Sequence, residues 1–337
     1  MPYGNRQTVV YAADVFDEGA QNSPFERRSD LEKTDTETIA QVLAALEEGG
    51  FTALHIGDLD QLARHALAHP HDIVLSTYGG DGSRSRTALV AGLSESLRVP
   101  YVGLDAFGQA LCHDKSLTKT LALECGLSTP AWRVFRPGWP LDLLEEFELP
   151  FILKPVAEGS SIGISAANVI RDRSQALGVA QDLLRTFEAP IMAEAFVAGR
   201  EVSLCAIQVE GGARTAFSEI VVAGQPDYFL QRVWDAAEKY HRRLDRHVAL
   251  IDNELADIDR QAIMRLLSAL GDFGWIRIDG RLANGRFHFI EASPDAHLAM
   301  RSQFAQGFIQ QGMSYAEVLA AVVASANQRP LGRAAIG

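Results

Sequence analysis

The stretch FILKPVAEGSSIGIS (151–165) constrains the fold more than any other part of the chain. An apolar, strand-like run closes on Lys154 and Pro155. A glycine- and serine-rich loop follows, and a second β-prone run, ISAANVI, ends at Ile170. In a Rossmann unit or a P-loop, the glycine loop leads from a strand into a helix. Here the loop joins two strands, so no helix N-terminus faces it. An anion at such a loop is held by the loop's own backbone N–H groups and by nearby cations. Lys154, the polar end of an apolar strand, is the first such cation.

Strand and helix signals alternate over the first third: TVVYAADV, then TETIAQVLAALEEGG with a glycine C-cap signal, then FTALHIG and DIVLSTYGG, then LVAGLSESLRVPYVG. This alternation predicts a parallel α/β layer over residues 1–110. A second unit, 111–190, opens on a helix over DKSLTKTLALECG, contains the strand–loop–strand, and ends with a helix from Gln175. A third, 191–337, holds strands IMAEAFV and EVSLCAIQV, a charged segment over 234–247, a helix over 259–273, strands WIRIDGRL and RFHFIEA, and a last helix over 315–327. A chain of 337 residues fits two or three domains. The net charge of −12 argues against nucleic acid or an anionic membrane as the main partner. Cys112, Cys125 and Cys205 form no C-x-x-C pair and read as reduced core thiols of a cytoplasmic protein. The N-terminal residues carry no basic region followed by a long apolar run, and no apolar stretch approaches the ~20 residues of a membrane span.

Three lysines, Lys119, Lys154 and Lys239, lie before or within β-rich, non-helical contexts and are candidate phosphate cations; the plainer reading of each alone is a solvated surface lysine. Asn284-Gly285 is the strongest hairpin signal in the chain, so the flanking strands pair antiparallel and bring Asp279 and Glu291 to one site. Like charges directly opposite are destabilising, which favours a cation between them over two exposed strand charges. Mg²⁺ suits such a pair. Arg277 alternates with Asp279 and shares its face, either to neutralise a developing oxyanion or to form a salt bridge with one of these carboxylates. Walker A and H-E-x-x-H signatures are absent, no G-x-G-x-x-G follows the first strand, and no G-x-S-x-G elbow, which leads from a strand into a helix, appears.

Taken in order, these segments resemble the ATP-grasp superfamily and, within it, the D-alanine–D-alanine ligase family. The resemblance runs through VPYVG (99–103), DKSLTK (114–119), ILKPVAEGSSIG (152–163), EAFVAGRE (194–201), EKY (238–240), RID (277–279) and IEAS (290–293). It implies an α/β (α+β) ATP-grasp fold: an N-terminal parallel preATP-grasp domain and two β-rich subdomains that clamp ATP. It also implies roles. Lys119, Lys154 and Lys239 would bind phosphates, with Glu158 and Ser161 in the ATP-binding loop. Glu194 and the backbone of Phe196 and Val197 would hold adenine, and Glu201 the ribose. Asp279 and Glu291 would hold Mg²⁺ (or Mn²⁺). Arg277 would stabilise an oxyanion, Ser160 and Tyr240 would orient substrates, and Ser302 would meet a substrate carboxylate. A homodimer through the N-terminal domain is the assembly the resemblance suggests.

The chain departs from the family pattern near the substrates. Ser293 stands where the family has a metal-binding asparagine, and either Ser293 or Asp295 is left to complete the site. His297 stands near the family's proline-glycine turn, within the substrate-binding region. Glu26, Asp30 and Glu32 are unranked candidates for the group that anchors the first substrate's amine. ATP-site residues persist while amino-acid-site residues change. The expected activity is an ATP-dependent carboxylate–amine ligase working through an acyl phosphate on amino-acid-like substrates. The alternatives are a D-alanine–D-alanine ligase of peptidoglycan synthesis and a catalytically weakened nucleotide-binding protein.

Overall fold

The computed structural model describes residues 6–16, 29–235 and 245–328. The first layer is built from β1 (Thr8–Ala12), α1 (Thr36–Glu48), β2 (Thr52–Ile56), α2 (Leu59–Ala68), β3 (Ile73–Ser76), α3 (Leu89–Leu97) and β4 (Tyr101–Val102). Its strands are parallel, in the order β2-β1-β3-β4. Successive residues of β1 (Val9, Val10, Tyr11 and Ala12) are all buried, because helices cover both faces of a parallel sheet. Asp35 caps α1 by accepting from the Thr38 N–H at 2.7 Å.

Next come α4 (Ala106–His113), α5 (Lys115–Glu124), β5 (Trp132–Phe135), β6 (Phe151–Pro155), β7 (Val169–Ile170), α6 (Ala176–Phe187) and β8 (Ile191–Ala195). The strands form an antiparallel sheet in the order β5-β8-β6-β7. Two expectations change here. β8 pairs with β6, so the third sheet starts after Ala195 and a boundary at 190 divides the middle one. The strand expected over ISAANVI shrinks to two residues. Residues Ala166–Asn168 turn in a 3-10 helix, capped by Ser165 and locked by the Asn168 amide, which donates to Leu153 O and Gly163 O at 2.7 and 2.8 Å.

The third sheet comprises β9 (Arg200–Val209), β10 (Gly212–Val222), β11 (Arg246–Leu250), β12 (Trp275–Ala283) and β13 (Arg286–Ser293), antiparallel in the order β11-β10-β9-β12-β13. The helices α7 (Tyr228–Gln231), α8 (Asp257–Leu270), α9 (Gln303–Gln310) and α10 (Tyr315–Ala324) accompany it. Among these, β10, β11, α7 and α9 were not anticipated, nor were α2 in the first layer and α4 and β5 in the middle unit. The Asn284-Gly285 hairpin forms as expected. Both residues have positive φ, 52° and 70°, as a two-residue turn between twisted strands requires.

The layers share cores. Val9 and Tyr11 of β1 pack with Val42 of α1, Trp275 of β12 and Val322 of α10 in one buried cluster. The last helix therefore completes the core of the first sheet. A second cluster joins Cys112 and Ala122, on α4 and α5, to Ile278, Phe287 and Phe289 of the third sheet. Cys112, Cys125 and Cys205 are buried and free. Among the described residues no helix is long and apolar enough to cross a membrane.

Candidate active site

A cleft of about 1380 Å³ runs between the middle and third sheets and reaches the first layer. Lys154, Glu158, Ser160 and Ser161 line it from β6 and the loop after it. Glu194, Phe196, Val197 and Glu201 line it from β8, the turn after it and the start of β9. Arg277, Asp279, Glu291 and Ser293 face it from the β12–β13 hairpin, and His297 and Ser302 from the segment that follows. Fourteen candidates separated by up to 148 positions thus share one space (302 − 154). Lys239 and Tyr240 lie outside the described residues.

Lys119 differs from expectation. It lies on α5, whose N-terminus Asp114 caps by accepting from Ser116 N and Leu117 N, and not in a β-rich context. Its side chain is fully buried and does not line the cleft. Its ammonium meets Glu194 Oε2 at 2.6 Å, while Lys154 donates to Glu194 Oε1 at 2.7 Å. Glu194 therefore bridges two lysines. Burial alone would raise its carboxyl, but Lys154 and Lys119 outweigh that and hold it below the ordinary range. Burial pushes Lys119 down to about 8, against the pull of Glu194. Phe196 spends its N–H on Pro150 O at 3.1 Å, which leaves its carbonyl and the Val197 backbone for a ring edge. Glu201 pairs with Arg281 at 2.8 Å, and that guanidinium also donates to Gly199 O and Phe229 O.

The glycine loop is held at its base and bent at its tip. Ser160 and Ser161 both have positive φ, 50° and 61°. Non-glycine residues there cost on the order of 1–3 kcal/mol each, and such strain persists only where the surroundings enforce it. Ser161 Oγ donates to Trp234 O at 2.5 Å. Glu158 faces the cleft, yet its Oε2 accepts from Arg86 at 3.0 Å; burial raises this carboxyl against the pull of Arg86.

On the hairpin, Asp279 and Glu291 come to one site as expected, and a β-bulge between Asp279 and Gly280 sets them directly opposite. Protein cations meet each of them. Arg277 donates to both oxygens of Asp279 at 2.7 and 2.8 Å, Ser203 Oγ donates to Oδ1 at 2.6 Å, and Lys115 lies 3.2 Å from Glu291 Oε2. The salt-bridge reading of Arg277 thus holds. The donor set also fits Mg²⁺, which takes one or two carboxylates and completes its shell with water and phosphate oxygens. No group of three or more His, Cys, Asp or Glu side chains gathers as a metal cage among the described residues. Enclosure raises Asp295 to about 6, with Glu32 adding to the shift and Arg277 and Arg86 opposing it. His297 is held below its usual range by enclosure and by Arg277 and Arg301, against Asp35. Ser302 caps α9, its Oγ accepting from Ala305 N at 3.1 Å, and keeps its own proton for another partner.

Sequence reasoning missed Arg86, Lys115, Ser203 and Arg281. Lys115 was visible inside DKSLTK, and Arg281 continues the alternation of Arg277 and Asp279. Arg86 carried no local signal. His113, at the end of α4, accepts from Arg86 Nη1 at 2.9 Å. Burial, then Arg86 and Lys115, push its pKa to about 3. The folded state thus refuses a proton that the unfolded chain takes near pH 6.5, so this contribution to stability is present above 6.5 and lost as pH falls toward about 3. We expect His113→Gln to lose less stability than the wild type between pH 7 and pH 5. Equal shifts of the urea midpoint would refute this.

Comparison with known proteins agrees with this geometry. Residues 123–324 match the family described as D-ala D-ala ligase C-terminus. The chain is 30% identical over 330 residues to the D-alanine–D-alanine ligase of Bordetella petrii, covering 96% of this chain and 90% of that protein. The chain belongs to the D-alanine–D-alanine ligase family. It is thus an ATP-grasp ligase. It is also 30% identical to the Cupriavidus pinatubonensis D-alanine–D-alanine ligase over 292 residues, 85% of each chain. The fold matches the Bacillus anthracis D-alanine–D-alanine ligase complexed with ATP, with a TM-score of 0.72, 17% identity and coverage of 96% of this chain and 98% of that one. It also matches the VanG D-Ala:D-Ser ligase of Enterococcus faecalis, with a TM-score of 0.69 at 16% identity, covering 96% and 100%.

Proposed function

We propose that this ligase uses ATP to join a carboxylic acid to an amine, both amino-acid-like, through an acyl phosphate. One observation carries the reading: the Lys154 loop and the Arg277–Asp279–Glu291 hairpin face one cleft from two sheets. Lys154 and the bent loop would cradle the phosphates of ATP. Asp279 and Glu291, with Ser293 or Asp295, would hold Mg²⁺ or Mn²⁺, which supplies charge neutralisation to the phosphates. The substrate carboxylate attacks the γ-phosphorus, ADP leaves, and the amine then attacks the acyl carbon. Arg277 would steady the oxyanion of that second step before phosphate departs.

His297 supports substrates other than two D-alanines. Its imidazole occupies the cleft beside Arg277 and Arg301, where the family pattern turns on a glycine. The relatives named as D-alanine–D-alanine ligases favour a D-alanine pair as the second reading. ADP release across a panel of D- and L-amino acids, with magnesium present, separates the two. A best pair other than D-alanine is expected. D-alanine as clearly the best would establish the second reading, and no ADP with any acid would leave a nucleotide-binding protein without catalysis.

A further inference from the structure

The base of the glycine loop is gripped from outside the sheets that form the cleft. Arg86 lies on a short 3-10 turn of the first layer, is 8% exposed, and does not line the cleft. Its Nη2 donates to Glu32 Oε2 at 2.6 Å and to Glu158 Oε2 at 3.0 Å, and its Nε also reaches Glu32 Oε2 at 3.2 Å. Its Nη1 donates to His113 Nε2 at 2.9 Å and to Ala157 O at 3.4 Å. Glu32 Oε1 in turn accepts from the Gly159 N–H. A Cβ at Gly159 would lie 2.5 Å from that oxygen, so a larger residue there would displace the Glu32 carboxylate from the loop. Lys115 donates to the Glu158 carbonyl between these contacts. Three successive loop residues, Ala157, Glu158 and Gly159, are therefore each tied to a side chain of another segment. The next two, Ser160 and Ser161, take the strained left-handed backbone that aims the loop tip.

We propose that Arg86 is a positioning residue that latches the base of the glycine-rich loop to the N-terminal layer, and that this latch keeps water from the activated acid. Both oxygens of Glu32 are engaged, one by Arg86 and the other by the Gly159 N–H, so Glu32 joins the guanidinium to the loop backbone. Without a guanidinium, Glu32 and Glu158 face each other as like charges and the loop base lifts. Water then reaches the acyl phosphate, adds to its carbonyl carbon, and phosphate leaves to regenerate the free acid. ATP is spent and no amide forms.

The kinetic arm of the test rests on the ligase reading above. Arg86→Lys keeps the charge, but one ammonium cannot reach Glu32, Glu158, His113 and Ala157 together. With the acid–amine pair most active in the amino-acid panel, the wild type should release one ADP per amide. Arg86→Lys should raise that ratio several-fold and raise KM for ATP about tenfold, with kcat for ADP release far less affected and Tm within a few degrees. A residue that served only stability would lower Tm and the active fraction and leave the ratio at one. A folded Arg86→Lys with a ratio of one and an unchanged KM overturns the latch. The double variant Arg86→Gln, Glu32→Gln removes both charges together, and it decides the matter by the same ratio if the lysine variant does not fold. If the wild type turns over no pair, the ligase reading fails by itself. Hydrogen exchange at amides 157–163 with ADP and magnesium then decides the latch: faster exchange in the variant supports it, and equal exchange overturns it.

Discussion

Arg277→Met should slow amide formation by roughly 10²- to 10³-fold, the cost of removing one oxyanion donor from a water-excluded site. Arg277 reaches the cleft from β12 and is fixed by its double hydrogen bond to Asp279, so its fork is set before any substrate arrives. Fixed geometry is what makes such a donor effective, because no reorganisation is needed as charge develops. Arg277→Lys keeps a cation but cannot donate twice to one carboxylate in a plane, so part of the loss should remain. The variant also releases Asp279 from Arg277 while Glu291 stands opposite. Binding of ADP with magnesium should therefore hold or strengthen while amide formation collapses. Steady-state amide synthesis beside nucleotide binding reads both; a variant with the wild-type kcat removes Arg277 from the chemistry.

Glu194→Ala should destabilise the protein by about 3–5 kcal/mol near pH 7, the range for breaking a buried ion pair by deleting one partner. Here one carboxylate serves two buried lysines, with Lys119 completely enclosed and Lys154 nearly so. The pH dependence follows from Lys119. Its folded pKa, about 8, lies below its unfolded 10.5, so the folded state gives up its proton first. This group's contribution thus makes stability rise with pH between those values. Without Glu194 the lysine is neutral over a wider range, and the deficit against wild type should shrink from pH 7 to pH 9.5. Urea unfolding at the two pH values measures it. A loss below 1 kcal/mol at pH 7, or a deficit that grows with pH, would contradict this account.

Local chemistry made much of the site legible. Asn284-Gly285 specifies a two-residue turn, and that turn pairs the flanking strands antiparallel and brings Asp279 and Glu291 to one site; the β-bulge between Asp279 and Gly280 that sets them directly opposite had no such signal. Period-two alternation places Arg277 beside Asp279. The Lys154–Pro155 strand end and the glycine run mark the loop, because few backbones other than a nest need that composition. Other features had no such signal. β10 and β11 were passed over. β8 was assigned to the third unit although its partner is β6. That the Lys119 ammonium lies buried against Glu194 carried no signal either.

Contacts local in sequence, then, were determined by the sequence alone: turn type, the pairing next to the turn, helix caps and the loop's capacity for unusual φ. Tertiary structure decided which charges neutralise one another. Arg86 meets Glu32 across 54 residues and Glu158 across 72, and Glu32 meets Gly159 across 127. No periodicity encodes such partners, because a buried charge chooses among all ions brought within a few ångströms, and only the packing of the three sheets says which those are.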